Sequence, residues 1–481
     1  MGGACRLFCR QLPFGFGDNR KMTGLSKSDA TGNHPVVRQN NNVAPTCTVA
    51  LLGFGTVGSS VAKILCQRSN DHLRLTHILN RNVARKKVDW LPSSVQWTEN
   101  IDDILSSNAD IVVELMGGLQ PTEDWIRRAL AAGKSVVTAN KQLIARCGPE
   151  LIGLARQKNR QIQFGASVAG GVPVISGLHE GLAGDDLFKI RGILNGTCNY
   201  ILSQIEANGM PFATALREAQ KLGFAEADPT EDIEGLDARA KLAILARVGL
   251  HCNITPESIV ARSISAIDAV DFEYANQLGC TIRQISWAEL QTPELAPESK
   301  TESRVEQLFA AVQPALVELS SPLARVEGSQ NLVVATGTYG GETVFGGHGA
   351  GGHPTAVAVV SDILAIARSQ QSELSKPSPS MTSTAGQPAE KTPAVTADFT
   401  AKHYLRFLVK DRPGIIATLA TILSECGINI DSVLQKPGCP KSHLPFLITL
   451  EECKASLVEQ ALKQINALDF LVQPCLHLPI L

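Results

Sequence analysis

The sequence lacks three features that would each place it in a different class of protein. It has no run of eighteen apolar residues, which excludes a membrane-spanning helix. Its formal net charge is only -2, so nucleic acid is not expected as a partner. Its 12 cysteines are scattered, with no CxxC pair and no grouping with histidine. Scattered cysteines of this kind favour reduced thiols and a cytoplasmic location over a disulfide framework.

The length of 481 residues predicts two or three domains, because one hydrophobic core does not grow to that size. Residues 1–45 are basic, poor in acidic residues and polar toward their end. We predict that they form a disordered N-terminal tail. An organelle-targeting peptide and a true start at Met22 are the two alternatives.

An apolar stretch over residues 48–52 is short enough for a buried parallel strand. A glycine-rich turn and then a helical pattern over residues 59–67 follow it. The turn consists of Gly53, Phe54, Gly55, Thr56, Val57 and Gly58. A strand, a GxGxxG turn and a helix N-terminus together can hold a pyrophosphate through backbone N–H groups. We therefore predict a Rossmann-type, doubly wound NAD(P)-binding domain over residues 46–186.

The next predicted strand, over residues 73–79, ends at Asn80 and Arg81 rather than at an acidic residue. An acidic side chain there would accept hydrogen bonds from a ribose 2′-hydroxyl, whereas an arginine suits a 2′-phosphate. Arg81 therefore favours NADP over NAD. A plain surface arginine is the alternative, and NAD then remains open.

A further strand over residues 134–138 ends at Thr138 and leads directly to Lys141. Ligands bind at the carboxyl edge of open parallel sheets, so this lysine is a candidate functional residue. A second candidate lysine, Lys241, closes an acidic segment that begins at Gly223. The carboxylates of that segment are Glu226, Asp228, Glu231, Asp232, Glu234 and Asp237. Asp237 and Lys241 share one helix face. A solvated acidic loop before a helix is the alternative interpretation.

The acidic segment and the upstream stretch over residues 191–202 together resemble homoserine dehydrogenase. The matching residues are Asn195, Gly196, Thr197, Cys198, Asn199, Tyr200, Gly223, Phe224, Glu226, Asp228, Pro229, Asp232, Gly235, Asp237 and Lys241. The resemblance extends over about residues 48–368.

The resemblance implies roles for particular residues. It makes Lys241 and Lys141 catalytic and assigns Glu226, Asp237, Asp232 and Gly223 to the substrate. It also places Thr138, Lys141, Gly223 and Gly351 at the cofactor. We further expect burial and neighbouring cations to lower the pKa of a catalytic lysine. An α+β substrate and dimerisation domain is expected over residues 187–340, with residues 341–370 returning to the nucleotide domain. His348 and His353 lie in the glycine-rich return, and we interpret them as loop residues rather than zinc ligands.

One position departs from the family pattern. The family carries a glutamate where this chain has Gly165, and the resemblance implies that this carboxylate joins the backbone carbonyls of Val168, Gly170 and Val172 around a monovalent cation. Glycine has no side-chain oxygen. We therefore expect weakened dependence on sodium or potassium.

Residues 371–400 are rich in Ser, Thr, Pro and Ala, which predicts a flexible linker. Residues 401–481 predict a βαββαβ unit with its last strand over residues 470–476. That order resembles an ACT domain, and the resemblance implies threonine as effector near Asp411, Gly427 and Asn429. A purely structural dimerisation domain is the alternative.

Taken together, the resemblance implies NAD(P)-dependent interconversion of L-homoserine and L-aspartate 4-semialdehyde, with threonine feedback, in a homodimer or homotetramer. Two alternatives remain open at this point. One is a catalytically weak regulator that senses an amino acid. The other is another semialdehyde or hydroxy-acid dehydrogenase with the same fold.

Overall fold

The first part of the chain alternates short apolar strands with helices. The computed structural model describes residues 47–67, 72–291, 307–374 and 391–481, and the tail predicted over residues 1–45 lies outside them. The elements of this first part are β1 (Cys47–Leu52), α1 (Thr56–Gln67), β2 (Leu73–Leu79), α2 (Val83–Lys86), β3 (Gln96–Thr98), α3 (Ile101–Ser106), β4 (Ile111–Glu114), α4 (Thr122–Ala131), β5 (Ser135–Thr138), α5 (Lys141–Gln157) and β6 (Ile162–Gln163).

These six strands form one parallel sheet in the order β3-β2-β1-β4-β5-β6. The order confirms the Rossmann-type prediction. Both faces of the sheet are covered, which is why β1 and β4 are apolar almost throughout instead of alternating. The strand order reverses between β1 and β4, and their carboxyl ends mark the crevice where such sheets bind ligands.

The second part of the chain builds an antiparallel sheet with helices packed on it. Its elements are α6 (Val174–Ser176), β7 (Leu187–Ile193), α7 (Gly196–Asn208), α8 (Phe212–Lys221), α9 (Thr230–Ile233), α10 (Leu236–Leu250), β8 (Val260–Ala261), α11 (Ala269–Gln277), β9 (Cys280–Gln291), β10 (Gln307–Glu318), β11 (Gln330–Gly337), β12 (Gly341–His348) and α12 (Gly352–Leu374). The sheet order here is β12-β11-β7-β9-β10, and α7, α10 and α11 pack against β9.

The return to the nucleotide domain begins later than residue 341, the predicted boundary. Strand β12 pairs with β11 along its whole length, so it belongs to the substrate sheet. Only α12 crosses back, where Val359, Ile363 and Ile366 join the apolar core formed by β1 and α1. The glycines of β12 hid this strand in the sequence, because glycine is a poor marker of strands.

The last part of the chain forms the predicted βαββαβ unit. Its elements are β14 (Thr400–Val409), α13 (Ile415–Glu425), β15 (Ile430–Gln435), β16 (Leu444–Lys454), α14 (Ala455–Ile465) and β17 (Leu476–Ile480), with the order β17-β14-β16-β15 in the sheet. A short strand, β13 (Ala394–Thr396), precedes the unit. The final strand was predicted too early, over residues 470–476. An isolated bridge joins Leu471 to Val409 of β14, but the continuous ladder with β14 starts at Leu476, after Pro474, which has no N–H for a ladder hydrogen bond.

The linker predicted over residues 371–400 is shorter than the composition indicated. Helix α12 continues to Leu374, and β13 pairs with β10. Residues 375–390 lie outside the described residues. Among the helices that are described, none is long and apolar enough to cross a membrane.

The βαββαβ unit is joined to the substrate sheet by backbone pairing and by a buried ion pair. Strand β17 pairs in parallel with β10 at Ile480 and Leu316. Arg406 of β14 donates from Nε to Asp271 Oδ1 of α11 at 2.6 Å, and the Tyr404 hydroxyl donates to the same oxygen at 2.7 Å. Asp271 is completely buried. A charge in such a place is stable only while its partner is present.

We predict that Asp271→Asn destabilises the protein by about 3–5 kcal/mol, because it leaves the Arg406 guanidinium buried without a counter-charge. Asp469→Asn is the matched control, since the Arg412–Asp469 pair is solvent-exposed and should contribute nothing measurable. Urea unfolding followed by circular dichroism measures both variants. Equal shifts in the two variants would contradict the prediction.

Candidate active site

Two lysines from different parts of the sequence share one buried carboxylate. Lys141 Nζ lies 2.5 Å from Asp237 Oδ1, and Lys241 Nζ lies 2.8 Å from Asp237 Oδ2. Lys241 also donates to the backbone carbonyl of Leu194 at 2.7 Å. The Asp237 side chain is only 6% exposed. The structure thus brings the two predicted catalytic lysines together at the carboxyl edge of the parallel sheet.

The positions of the three side chains follow from the local structure. Lys141 is the first residue of α5, directly after β5, and Asn140 caps that helix by accepting from the Leu143 N–H. Asp237 and Lys241 lie one turn apart on α10, as the sequence predicted. Gly235 precedes α10 with a φ of 75°, a left-handed conformation that favours glycine.

An asparagine, Asn195, connects this cluster to a second acidic residue. Its Nδ2 donates to Asp232 Oδ1 at 2.7 Å and to Asp237 Oδ2 at 3.0 Å. Sequence reasoning placed Asn195 in the family motif but gave it no role. The contact joins residues 37 and 42 positions apart, so no local pattern could have shown it.

The charges in the cluster support one another. Burial alone would raise the pKa of Asp237, but the Lys241 and Lys141 ammonium groups outweigh it and hold that pKa well below its ordinary value. Burial alone would lower the pKa of Lys141, yet the ion pair with Asp237 holds it above its ordinary value. The expected lowering of a catalytic lysine's pKa is therefore wrong for Lys141. The sequence could not show that Asp237 would outweigh both burial and a neighbouring cation.

The remaining predicted substrate residues have different surroundings. Burial raises the pKa of Asp232, and the nearby charge of Asp237 adds to that effect. Glu226 lies exposed in the loop before α9, and its side chain contacts no member of the cluster within the described residues. Gly223 is exposed too, in a turn with a φ of 79°. The Thr197 hydroxyl holds this loop against α7 by donating to the Phe224 carbonyl at 2.7 Å.

The glycine turn after β1 has the shape that a pyrophosphate requires. Gly53 has a φ of 102°, and a Cβ on Gly58 would lie 2.3 Å from the Gly53 carbonyl oxygen, so a larger residue at position 58 would collide with the backbone. Helix α1 starts at Thr56 and directs its first N–H groups at the turn. Phe54 is buried, with its ring 4.9 Å from that of Trp97, and Val57 packs against the same core. Gly55 leaves open space on its side of the turn.

The return segment passes beside this turn. A Cβ on Gly352 would lie 2.8 Å from the Thr56 side chain, and the preceding Gly351 has a φ of 113°. Arg81 is exposed just after β2. Its neighbour Asn80 accepts from the Phe54 N–H at 3.4 Å. The glycine turn, Asn80 and Gly352 therefore lie beside one another, and the backbone geometry of the turn fits a pyrophosphate.

Glu114, a buried carboxylate that sequence reasoning missed, organises the loop beside Lys141. It accepts from the N–H groups of Met116 and Gly117 at 2.8 and 2.9 Å, and from the Thr138 hydroxyl at 2.6 Å. The hydroxyl hydrogen of Thr138 is thus engaged in the bond to Glu114. An acidic residue at the end of an otherwise apolar strand was the signal that could have identified it.

The loop that the resemblance connects with a cation contains no side-chain carboxylate of its own. The Val172 carbonyl already accepts from the Val174 N–H at 2.8 Å. The Gly165 N–H donates to Asp362 Oδ2 at 2.8 Å, and a Cβ on Gly165 would lie 2.8 Å from Asp362 Oδ1. Burial raises the pKa of Asp362 to about 7. The space beside Gly165 is therefore filled by a carboxyl group that is only partly ionised near neutral pH.

The other two carbonyls of that loop belong to Val168, which is fully buried, and to Gly170, where the backbone has a φ of 29°. His348 ends β12 and His353 lies in the first turn of α12. Across the described ranges, no group of three or more His, Cys, Asp or Glu side chains could hold a metal ion.

The predicted effector residues lie at two ends of one helix. Asp411 is exposed before α13, whereas Gly427 and Asn429 follow that helix. Eleven residues of α-helix span about 16 Å, so within one chain these residues do not surround a single small ligand. Asn429 Nδ2 donates to Glu451 Oε2 at 3.1 Å.

A Rossmann-type sheet whose carboxyl edge carries two lysines on one buried carboxylate fits the class of NAD(P)-dependent oxidoreductases that act on a CH–OH group. Three family profiles match the chain. They are the homoserine dehydrogenase NAD-binding domain over residues 53–165, homoserine dehydrogenase over residues 173–364 and the ACT domain over residues 403–470.

Named relatives agree with the profiles. The homoserine dehydrogenase of Bacillus subtilis is 38% identical over 397 residues, covering 81% of this chain and 87% of that protein. The structure of a homoserine dehydrogenase from Thiobacillus denitrificans superimposes with a TM-score of 0.80 at 32% identity, covering 91% of this chain and 98% of that one. A hyperthermophilic archaeal homoserine dehydrogenase in complex with NADPH gives 0.55 at 27% identity, covering 69% and 99%. The chain belongs to the homoserine dehydrogenase family.

We predict that Asp237→Asn lowers the pKa of Lys141, because burial would then act on the ammonium without an opposing carboxylate. Below its ordinary pKa the paired lysine stabilises the fold, and the variant loses that contribution. The rate at which acetic anhydride labels Lys141, followed by mass spectrometry across pH, reports the pKa. Exposed Lys221 in the same digest is the reference. An unchanged labelling profile at Lys141 would show that Asp237 does not control its charge.

Proposed function

We propose that this protein interconverts L-homoserine and L-aspartate 4-semialdehyde with NAD(P) as redox partner. The observation that carries the proposal is the Asp237 carboxylate shared by Lys141 and Lys241 at the open edge of the dinucleotide-binding sheet. Family membership narrows the CH–OH substrate to homoserine. The same membership supports a place in amino-acid biosynthesis.

The lysines are arranged to donate hydrogen bonds to one substrate oxygen. An ammonium has three hydrogens. Lys241 uses two of them, on Asp237 and on the Leu194 carbonyl, and Lys141 uses one, on Asp237, within the described part of the chain. Hydrogens therefore remain on both amines for a carbonyl or alkoxide oxygen placed between them. Lys141 is protonated at rest because Asp237 raises its pKa, and in semialdehyde reduction it can give a proton to the forming alkoxide, which is the stronger base. In alcohol oxidation the neutral amine takes that proton back.

The crevice beside the lysines suits the cofactor. The turn over residues 53–58 would hold the pyrophosphate, and Gly351 and Gly352 would close over it. When bound, the cofactor supplies the hydride transfer. Asp237 holds both amines in place through its two oxygens, and Asp232 adds a second acidic group on the side where the substrate's ammonium would lie.

For the acidic loop, we propose that Glu226 and Gly223 contact the bound substrate, although Glu226 contacts no member of the lysine cluster among the residues that the structure describes. Both residues are exposed, and the loop that carries them is held to α7 by Thr197. Glu226 would then pair with the substrate's ammonium group, because no other partner occupies its carboxylate in the described residues.

We propose that NADP is preferred over NAD. Arg81 follows β2 and is exposed, where a guanidinium can pair with a 2′-phosphate. A structural relative in this family was solved as a complex with NADPH.

Reduction of NADP or NAD by homoserine, followed by absorbance at the nicotinamide band, tests the proposed reaction. We expect turnover with homoserine and a higher kcat/KM with NADP. Lys241→Ala should lower kcat by at least about 100-fold, because removal of a preorganised donor costs that much. Lys221→Ala, an exposed lysine at the end of α8, is the control.

Two outcomes would contradict the proposal. Absence of turnover with homoserine alongside activity on another hydroxy acid would point to a different dehydrogenase. Absence of any dehydrogenase activity together with amino-acid binding would support the regulator alternative. Near-normal kcat in Lys241→Ala would remove Lys241 from the mechanism.

We propose threonine as an effector of the ACT domain, which the family profile identifies. Because Asp411 is separated from Gly427 and Asn429 by the length of α13, an effector site that uses all three would need residues from two copies of the chain. A homodimer or homotetramer would meet this requirement.

We propose that the chain depends only weakly on sodium or potassium, because Gly165 removes a formal charge and Asp362 fills the adjacent space. Initial rates measured against sodium and potassium chloride, with choline chloride holding ionic strength constant, should show no saturable activation. Tight sodium-dependent activation would reject the proposal, because the backbone carbonyls alone would then suffice.

A further inference from the structure

The Asn195 side chain makes more hydrogen bonds than a helix cap requires. It is 4% exposed and stands between β7 and α7, where its Oδ1 accepts from the Cys198 N–H at 2.8 Å. That contact caps α7, and an aspartate or a serine would serve equally well. The cap alone does not explain why the residue is an amide.

The other end of the side chain faces two carboxylates. Asn195 Nδ2 has two hydrogens and directs one to Asp232 Oδ1 and one to Asp237 Oδ2. The oxygen it contacts on Asp237 is the one that Lys241 also contacts, at 2.8 Å. All three hydrogen-bonding functions of the amide are therefore used, and only an amide offers this combination of one acceptor and two donors.

We propose that Asn195 is a positioning residue for the reaction, which rests on the function proposed above. It acts through Asp237, fixing the carboxylate at the rotation in which one oxygen meets Lys141 and the other meets Lys241. It also places a neutral donor between Asp237 and Asp232, so that both carboxyl groups can lie close together in a buried site. Without this donor, Asp237 is free to turn, and the two amines lose their common orientation.

The charged groups around Asn195 predict that a carboxylate would be unfavourable in place of its neutral amide. The ionisable groups around its side chain are Asp232 from α9, Asp237 and Lys241 from α10, Lys141 from α5 through Asp237, and Cys198 on its own helix. The two lysines are already paired with Asp237. A carboxylate at position 195 would therefore face two acidic oxygens at hydrogen-bond distance and ionise reluctantly.

Two variants of the full-length protein separate positioning from capping. Asn195→Ser keeps the cap but removes both donors, and we expect kcat to fall about 100-fold with little change in KM, as for a misplaced catalytic group. Asn195→Asp keeps size and cap but adds the unfavourable charge. Its kcat deficit should be smallest at the acidic end of the pH profile, where the new carboxyl is protonated and can donate once, and should grow as pH rises and that carboxyl ionises.

The control is Asn199→Ser on the same helix. Asn199 is fully buried and donates to the carbonyls of Val326 and Gly328, away from the cluster. This variant should lower the melting temperature while leaving kcat near the wild-type value. A kcat of Asn195→Ser within about 3-fold of wild type would rule out positioning. So would a fall in kcat that Asn199→Ser matched at the same loss of stability.

A measurement independent of turnover distinguishes this proposal from the reaction itself. The folded-state pKa of the new carboxyl in Asn195→Asp should be raised above the ordinary 3.8 of an aspartate, so the variant should lose stability relative to wild type as pH rises from about 4 until that carboxyl ionises. A loss that does not change with pH would overturn the bridging geometry. If the wild-type protein had no homoserine dehydrogenase activity but Asn195→Asp still lost stability with rising pH, the proposed reaction would be refuted. The contact of Asn195 with the two carboxylates would then still stand.

Discussion

The ion pair between one buried carboxylate and two ammonium groups is the interaction on which the site depends. Asp237 is almost fully buried, and burial alone would favour its neutral form. Lys141 and Lys241 reverse that preference, and they bring together α5 of the nucleotide domain and α10 of the substrate domain. The same contact therefore holds the Asp237 carboxylate ionised and joins the two domains that supply the candidate catalytic lysines. A loss of either lysine would affect both properties at once.

Two other buried acidic side chains also join separate parts of the fold. Glu114 holds the loop after β4 and the end of β5 together by accepting three hydrogen bonds. Asp271 joins α11 to the ACT domain in the same way, with Arg406 and Tyr404 as its donors. In each case a buried acidic group is satisfied by partners from separate elements. A packing that separated these elements would leave the buried carboxylates without their donors, which is costly.

Much of this architecture could be predicted from local patterns. The strand, glycine turn and helix around Gly53 and Gly58 obey rules of short range, and so does the spacing of Asp237 and Lys241 on one helix face. The βαββαβ order also follows from local patterns and is confirmed, although its last strand begins after Pro474. What local patterns could not give is the partner of a buried group. The bond from Asn195 to Asp237, the filling of space beside Gly165 by Asp362 and the raised pKa of Lys141 all join residues distant in sequence.

The anchoring of β13 has a consequence for how the chain tolerates change. Helix α12 packs on the nucleotide domain, and β13 pairs with β10 of the antiparallel sheet. The ACT domain is held to the same strand, because β17 pairs with β10 at Leu316. Strand β10 therefore carries both the ACT domain and the strand that precedes it in the chain. A substitution that disturbs β10 would loosen both attachments at once.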